Sequence, residues 1–246
     1  MKKISAFWTE TKILFRSVPS PIVALFAVSV VAMNLLANKT IVNLPYLALD
    51  GGFTVSWLAF LTMDMVTKHF GGKAANRLNL FALAVNLLMS LVFYLVSIIP
   101  TSDDYSGFNS IFGGTWFILL SSAIAFLVSG WTNIALNLLL GKCFKKNPDG
   151  RAAFFVRGYV STLLGQFVDN LVFAVLTFML FSPIFWDGFS WTIVQCLTCA
   201  VTGAVAELLM EVIFSPFGYW ATKKWKEDGV GKEYFEFEQK RLEAKK

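Results

Sequence analysis

The sequence predicts an all-α integral membrane protein, a bundle of six transmembrane helices with both termini on the cytoplasmic side. Of its 246 residues, 56% are hydrophobic and only 15% are charged, a balance that soluble domains rarely reach. Six apolar runs have about the length that a helix needs to cross the hydrocarbon core. These runs lie at 19–41, 53–68, 78–99, 114–140, 157–182 and 190–214.

The distribution of Lys and Arg predicts the orientation of these runs. Twenty of the 21 Lys and Arg residues lie in 1–18, in the loops after the second and fourth runs, and in the tail; Lys39 is the exception. Cationic loops stay in the cytoplasm. We therefore expect a multi-pass protein of the plasma (inner) membrane. Residues 1–18 would be a cytoplasmic N-terminal segment, 19–222 a six-helix transmembrane transport domain and 223–246 a cytoplasmic tail.

Turn residues separate the runs in order. The first run begins at Pro19 and Pro21, which suit a helix start, and the third ends at Pro100. The loop 101–113 is acidic with several apolar residues, so we interpret it as an interfacial loop or a lid. Pro216 is expected to kink or end the sixth run.

Several classes of protein are disfavoured. The net charge of +5 is spread over the loops, where it would meet anionic lipid rather than nucleic acid. The Cys196-x-x-Cys199 pair lies inside the last run and is interpreted as helix packing. The chain has a single His, His69, and lacks a Walker A sequence and an H-E-x-x-H motif, so we expect neither an enzyme nor a cofactor.

Four carboxylates lie inside the predicted spans, where each should face the bundle interior or a water-filled cavity. They are Asp64, Asp169, Glu207 and Glu211. Amides that share a helix face with one another or with these acids, at spacings of three or four, are Asn34, Asn38, Asn133, Gln166 and Asn170. Together they predict an interior polar site. Each of these residues also has an explanation without a ligand. An individual amide can form an interhelical hydrogen bond. Asp64 can pair with Lys68, and Glu211 can contact Lys223 or water.

Several short motifs carry a resemblance to a known family. They are the run from Asn34 to Lys39, the run from Leu61 to Asp64, Phe70-Gly71, the run from Ser161 to Asp169, and the approach to Ser215-Pro216. In order and spacing over 30–222, the chain resembles the vitamin uptake transporter family, also described as queuosine-precursor transporters. The resemblance implies six helices, both termini inside, and import of 7-deazaguanine compounds.

The resemblance also implies site residues. Asn38, Asp64, Gln166 and Asp169 match polar positions of the family, whereas Gly130 and Asn133 stand where its members commonly have Gln and Asp. Glu207 and Glu211 do not fit the family pattern.

These observations combine into a hypothesis of function. The chain would import a queuosine precursor or a similar small vitamin-like heterocycle from the bilayer's outer side. Asp169 and Glu207 would contact the substrate, and either is a candidate for proton coupling. Asp64 and Asn133 would support them, and Asn34 and Asn38 would line the way in from outside.

Two other readings stay open. The alternative transporter is the substrate-binding S component of an energy-coupling-factor vitamin transporter, which would need ATPase partners. Such components usually dock through an Ala-x-x-x-Ala face on the first span, a spacing that Ala24, Ala27, Ala32 and Ala37 do not give. An intramembrane enzyme or a structural membrane protein is the remaining alternative.

Overall fold

A computed structural model describes residues 2–36, 39–44, 47–100, 107–108, 112, 116–144, 150–185 and 190–243. The first part of this chain forms α1 (Lys2–Ser17), α2 (Ser20–Leu36), β1 (Thr40–Leu44), β2 (Leu47–Asp50), α3 (Phe53–Phe70) and α4 (Gly72–Ser97). The second part forms α5 (Trp116–Gly141), α6 (Arg151–Ala174), α7 (Ile193–Glu227) and α8 (Lys232–Glu243). A 3-10 turn, Lys142–Phe144, follows α5, and α6 continues as a π-helical segment, Val175–Phe181, and a last α-helical turn, Ser182–Phe185.

Among the described residues, four helices are long and apolar enough to cross a membrane: α4, α5 with its 3-10 turn, α6 with its continuation, and α7. The segments Phe7–Ser17 and Ser20–Leu36 are together also long and apolar enough for one span, although the chain bends by 104° between them. The structure thus supports four or five spanning helices, and six spans with cytoplasmic termini stay a prediction. The predicted second span corresponds to α3, which is not counted among these helices. Its Asp64, Lys68 and His69 make it more polar than the other spanning helices.

The polar helix α3 lies at the centre of the bundle. It packs against α2, α4, α5, α6 and α7, and its Ala59, Met63 and Val66 are at most 1% exposed. Its polar side chains therefore face protein rather than lipid, which is the condition under which ionisable groups are tolerated at membrane depth. The outer sides of α4 and α7 instead carry exposed apolar side chains, among them Leu88 and Leu91 of α4 and Ile213 of α7.

The described chain is predominantly helical, as the all-α prediction expects, and a short β-hairpin joins α2 to α3. The antiparallel strands β1 and β2 pair Thr40 with Asp50 and Leu44 with Leu47. These strands were not predicted from the sequence, although Thr40, Ile41 and Val42 are β-branched residues that favour them. Because β2 lies against α7, the hairpin covers one end of the bundle, which we call the hairpin end.

The last apolar run does not stop at its proline. Helix α7 continues through Pro216 to Glu227, so of the two expectations for Pro216, a kink or an end of the run, the end is excluded. The helix is therefore long enough to carry Lys223 and Lys226 beyond the apolar part of the bundle. We call the end formed by Phe70, Lys223 and α8 the basic end.

The two terminal helices dock on each other at the basic end. Glu10 of α1 is 4% exposed and contacts both Arg77 and Arg241 at 2.7 Å. Glu238 of α8 contacts Lys73 at 3.1 Å and Arg241 at 3.0 Å. These ion pairs connect α1 and α8 to the beginning of α4.

We expect this docking to weaken in acid. Partial burial raises the pKa of Glu238, but the hydrogen bond and charge of Lys73 and the charge of Arg241 outweigh it and hold the pKa below its ordinary 4.5. A depressed pKa contributes stability above the ordinary value and loses it as pH falls through the lower folded value. The protection of α8 amides against hydrogen exchange, measured relative to their intrinsic exchange rate at each pH, should therefore fall below about pH 4 and change little between about pH 5 and 7.

The matched variants for this test are Glu238→Gln and Glu233→Gln. Glu238→Gln should show fast α8 exchange at both pH values, because it lacks the charge that Lys73 and Arg241 contact. Glu233 is exposed on the same helix, so Glu233→Gln should behave as the original chain. Equal protection of α8 in acid and at neutral pH in the original chain would contradict the prediction.

Candidate functional site

A small polar pocket opens between the helices near the hairpin end. Its volume is about 30 Å³. The polar side chains that line this hairpin-end pocket are Asn34, Ser56, Ser122, Asp169, Asn170 and Glu207. They come from α2, α3, α5, α6 and α7, so five helices meet at one place.

Two carboxylates define the electrostatics of the hairpin-end pocket. Glu207 is 2% exposed and accepts hydrogen bonds from the Ser56 hydroxyl at 2.5 Å and from the Asn170 amide at 3.4 Å. Asp169 accepts from the Ser129 hydroxyl at 2.6 Å. Among the described residues that line the pocket there is no Lys or Arg. The pocket therefore suits a ligand that is cationic or rich in N–H donors.

The amide Asn34 joins this pocket from α2. The hydroxyl of Ser122 donates to its side-chain oxygen, and Asn34 is 3% exposed. Asn170 is held in place by packing as well as by Glu207. A Cβ at Gly203 of α7 would lie 3.1 Å from the Asn170 Cγ, so only a glycine there admits the amide so close to the helix.

A second cluster lies toward the basic end and is centred on Asp64 of α3. Asp64 is fully buried and accepts from the amides of Asn133 at 2.9 Å and Asn137 at 3.0 Å. Lys68, one turn further along α3, lies 3.4 Å from the same carboxylate. The Asp64–Lys68 pair that the sequence suggested is therefore present. Arg157 of α6 donates to the Asn137 side-chain oxygen at 2.8 Å and so joins the cluster.

Glu211 completes this ionic cluster, defined by Asp64, Lys68, Arg157 and Glu211. A Cβ at Gly158 would lie 3.0 Å from the Lys68 ammonium and 3.2 Å from oxygens of both Asp64 and Glu211. Glu211 is 1% exposed and lies beside Lys68 at Gly158, away from bulk water. Two buried acids are thus matched by two buried bases, and Gly158 leaves room for them to meet.

A phenylalanine separates the hairpin-end pocket from the ionic cluster. On α3, Ser56, Phe60, Asp64 and Lys68 recur every four residues and share one face. Phe60 is 1% exposed, and a Cβ at Gly165 of α6 would lie 2.9 Å from its ring. The ring therefore fills the space between the two polar groups.

Gln166 lies beside this barrier. It stands on α6 between Ser161, which donates to Asp64 at 3.4 Å, and Asp169 of the pocket. Its side chain is fully buried, and among the described residues neither its amide nitrogen nor its oxygen has a hydrogen-bond partner. Buried polar atoms are normally satisfied. Gln166 is therefore available to a water or ligand that passes Phe60.

The structure divides the predicted site residues into groups. Asn34, Asp169, Asn170 and Glu207 line the hairpin-end pocket. Asp64, Asn133 and Glu211 belong to the ionic cluster, and Gln166 lies between the two groups. Asn38 and most of the loop 101–113, the suggested lid, lie outside the described residues. Of that loop, the Phe112 ring packs at 5.1 Å from Phe93.

Sequence reasoning missed three serines of the site: Ser56 and Ser129, which donate to the acids Glu207 and Asp169, and Ser122, which donates to Asn34. Helical serines usually bond to their own backbone, so no single one is a signal. The spacing of Ser56 relative to Asp64 and Lys68 could have indicated that it shares their face. Among the described residues, no three His, Cys, Asp or Glu side chains are placed to hold a metal ion.

Comparison with known proteins places these residues in a family. A family model described as "Putative vitamin uptake transporter" matches residues 50–221. The match begins just before α3 and ends in α7, so it includes every described acid of both polar groups. No curated protein and no solved structure matches the chain. Because the match covers well over half of the sequence, the chain belongs to the vitamin uptake transporter family, whose members are membrane transporters of the vitamin-uptake type.

Proposed function

We propose that this chain imports a small vitamin-like heterocycle of the queuosine-precursor type, a 7-deazaguanine, across the plasma (inner) membrane, with both termini in the cytoplasm. The observation that carries the proposal is the hairpin-end pocket, where Asp169 and Glu207 face a common space together with two amides. In this proposal the partners are the lipid bilayer and the small-molecule substrate, and protons are candidates for coupling through either carboxylate.

The chemistry of the proposed substrate matches this lining. A deazaguanine edge presents adjacent N–H donors, which one carboxylate accepts in a bidentate manner. An aminomethyl group on such a ring is cationic and would favour the second carboxylate. Phe53 and Phe173 also line the pocket and offer aromatic surface to a flat ring.

The substrate requires the pocket to widen. Ligand sites for drug-sized molecules have volumes of about 300 Å³ or more, and the hairpin-end pocket has about 30 Å³. We therefore infer that the structure corresponds to a contracted arrangement. Loading would separate helices at the hairpin end, and release would require the Phe60 ring and the ionic cluster to move. Conformational gating of this kind is usual for carriers whose site lies between helices.

The test is uptake of labelled queuosine precursors by cells that lack both their own importer and precursor synthesis, with this chain expressed alone. Asp169→Asn should lower the rate of uptake about 10-fold or more, because it removes a charged hydrogen-bond acceptor from the pocket. Asp228→Asn is the matched control, since Asp228 is exposed at the end of α7. Full uptake by Asp169→Asn at normal expression would refute the site.

The same assay addresses the energy-coupling-factor alternative. Uptake by this chain alone would establish a self-sufficient carrier. If a correctly inserted chain gives no uptake until ATPase subunits are added, it is an S component. If ATPases do not restore uptake, the substrate is a different one, and a panel of vitamins follows.

A further inference from the structure

A second cavity lies at the basic end, outside the pocket proposed for the substrate. Its volume is about 80 Å³, and it is formed by α3, α6 and α7. Four of the residues that line it are cationic: Lys68, Arg157, Lys223 and Lys226. Among the described residues that line it there is no Asp or Glu. The surface of this basic cavity is therefore positive, in contrast to the hairpin-end pocket.

The nearest buried acids balance only two of these four cations. Asp64 and Glu211 lie behind Lys68 against Gly158, are at most 1% exposed and balance the two inner cations. Lys223 and Lys226, one turn apart on α7, add charge at the mouth. Glu227 lies 3.9 Å from Lys223, but the two side chains are 65% and 62% exposed, so water weakens their pairing.

The size and donors of the cavity suit one tetrahedral oxyanion. A cavity needs about 10–15 Å³ to hold one water, so a cavity of about 80 Å³ has room for a larger group such as a phosphate. Ammonium and guanidinium groups are the side chains that proteins use to bind phosphate oxygens. The Lys68 ammonium is also fixed in position, since it lies 3.7 Å from the centre of the Phe154 ring.

The depth of the cavity places it near lipid headgroups. On α7, Phe217 and Trp220 are exposed by 69% and 63%, and the Lys224 ammonium lies 5.5 Å from the Trp220 ring. Exposed tryptophan beside lysine is typical of the boundary between hydrocarbon and headgroups. Lys223 and Lys226 lie just beyond this boundary on the same helix.

We propose that the basic cavity binds a phosphate group, carried by an anionic phospholipid headgroup or by a soluble phosphate compound. The bound phosphate bridges Lys68 of α3, Arg157 of α6 and the two lysines of α7. It therefore strengthens the closure of the basic end and stabilises the protein against unfolding. This site is independent of the proposed substrate.

The experiment measures the melting temperature of the purified full chain in nanodiscs of phosphatidylcholine. One arm adds inorganic phosphate, with chloride at matched ionic strength as reference, and the other replaces part of the lipid by phosphatidic acid. We expect phosphate or phosphatidic acid to raise the melting temperature, and Lys223→Gln with Lys226→Gln to abolish most of that rise. The control pair Lys224→Gln with Lys232→Gln removes the same charge from exposed positions outside the cavity lining and should keep the rise.

Each outcome decides something. A rise with inorganic phosphate in the neutral bilayer identifies a soluble phosphate ligand, and a rise with phosphatidic acid alone identifies a lipid headgroup. No rise in either arm overturns the proposal. An equal loss of the rise in both double variants also overturns it, because the effect would then come from general surface charge.

Discussion

Replacing Asp64 by asparagine is expected to destabilise the protein severely, by about 3 kcal/mol or more of unfolding free energy. The Asp64 carboxylate is fully buried, and the side chain of its partner Lys68 is only 7% exposed. Removing the negative charge leaves the largely buried Lys68 ammonium with Glu211 as the remaining acid of the ionic cluster. Loss of one member of a buried ion pair is costly because the remaining charge is neither hydrated nor fully matched.

The measurement is thermal unfolding of the purified variant in detergent, together with the fraction that elutes as a single species. The double variant Asp64→Asn with Lys68→Met removes both charges and should recover much of the lost stability. Asp228→Asn changes the same residue type at an exposed position and should leave the melting temperature unchanged. If Asp64→Asn has the same melting temperature as the original chain, or if the double variant is less stable than Asp64→Asn, the ionic cluster does not hold the bundle together.

Much of this cluster was visible in the sequence because its signals are local. The Asp64–Lys68 pair is one helical turn apart, and four carboxylates within apolar runs predict an interior polar region. The central position of α3 was not predictable in this way. It depends on contacts between distant residues, such as the Ser56–Glu207 hydrogen bond across 151 positions, and on Gly158 and Gly165 facing α3.

Glu207 and Glu211 show most clearly what could not be predicted from the sequence. They stand one turn apart on the same helix and have the same chemistry, so the sequence places both in one interior polar site, although it favours only Glu207 as a substrate contact. Their surroundings differ because α3 runs alongside: Ser56 faces Glu207, whereas Lys68 lies near Glu211. Glu207 lines the hairpin-end pocket, whose described lining includes no Lys or Arg. Glu211 belongs to the ionic cluster, in which the charges are balanced. Only the register of α3 against α7 separates a candidate ligand contact from a structural ion pair.

This difference predicts opposite results for two matched substitutions. Glu207→Gln should weaken binding of a labelled queuosine precursor to the purified chain by about 10-fold to 100-fold, the effect of losing a charged hydrogen bond of about 1.5–3 kcal/mol. Its melting temperature should change little, because glutamine still accepts from the Ser56 hydroxyl at the same position. Uptake by cells should fall in proportion to binding.

Glu211→Gln should show the reverse pattern, a lower melting temperature with a smaller effect on precursor affinity for the folded fraction. Its loss removes one of the two acids that lie near Lys68. Glu233→Gln, an exposed position on α8, should alter neither quantity. Unchanged precursor binding in Glu207→Gln would remove Glu207 from the site. A parallel fall of binding and melting temperature in both variants would mean that the two glutamates act as one structural unit, because the pocket and the cluster would then not be separable.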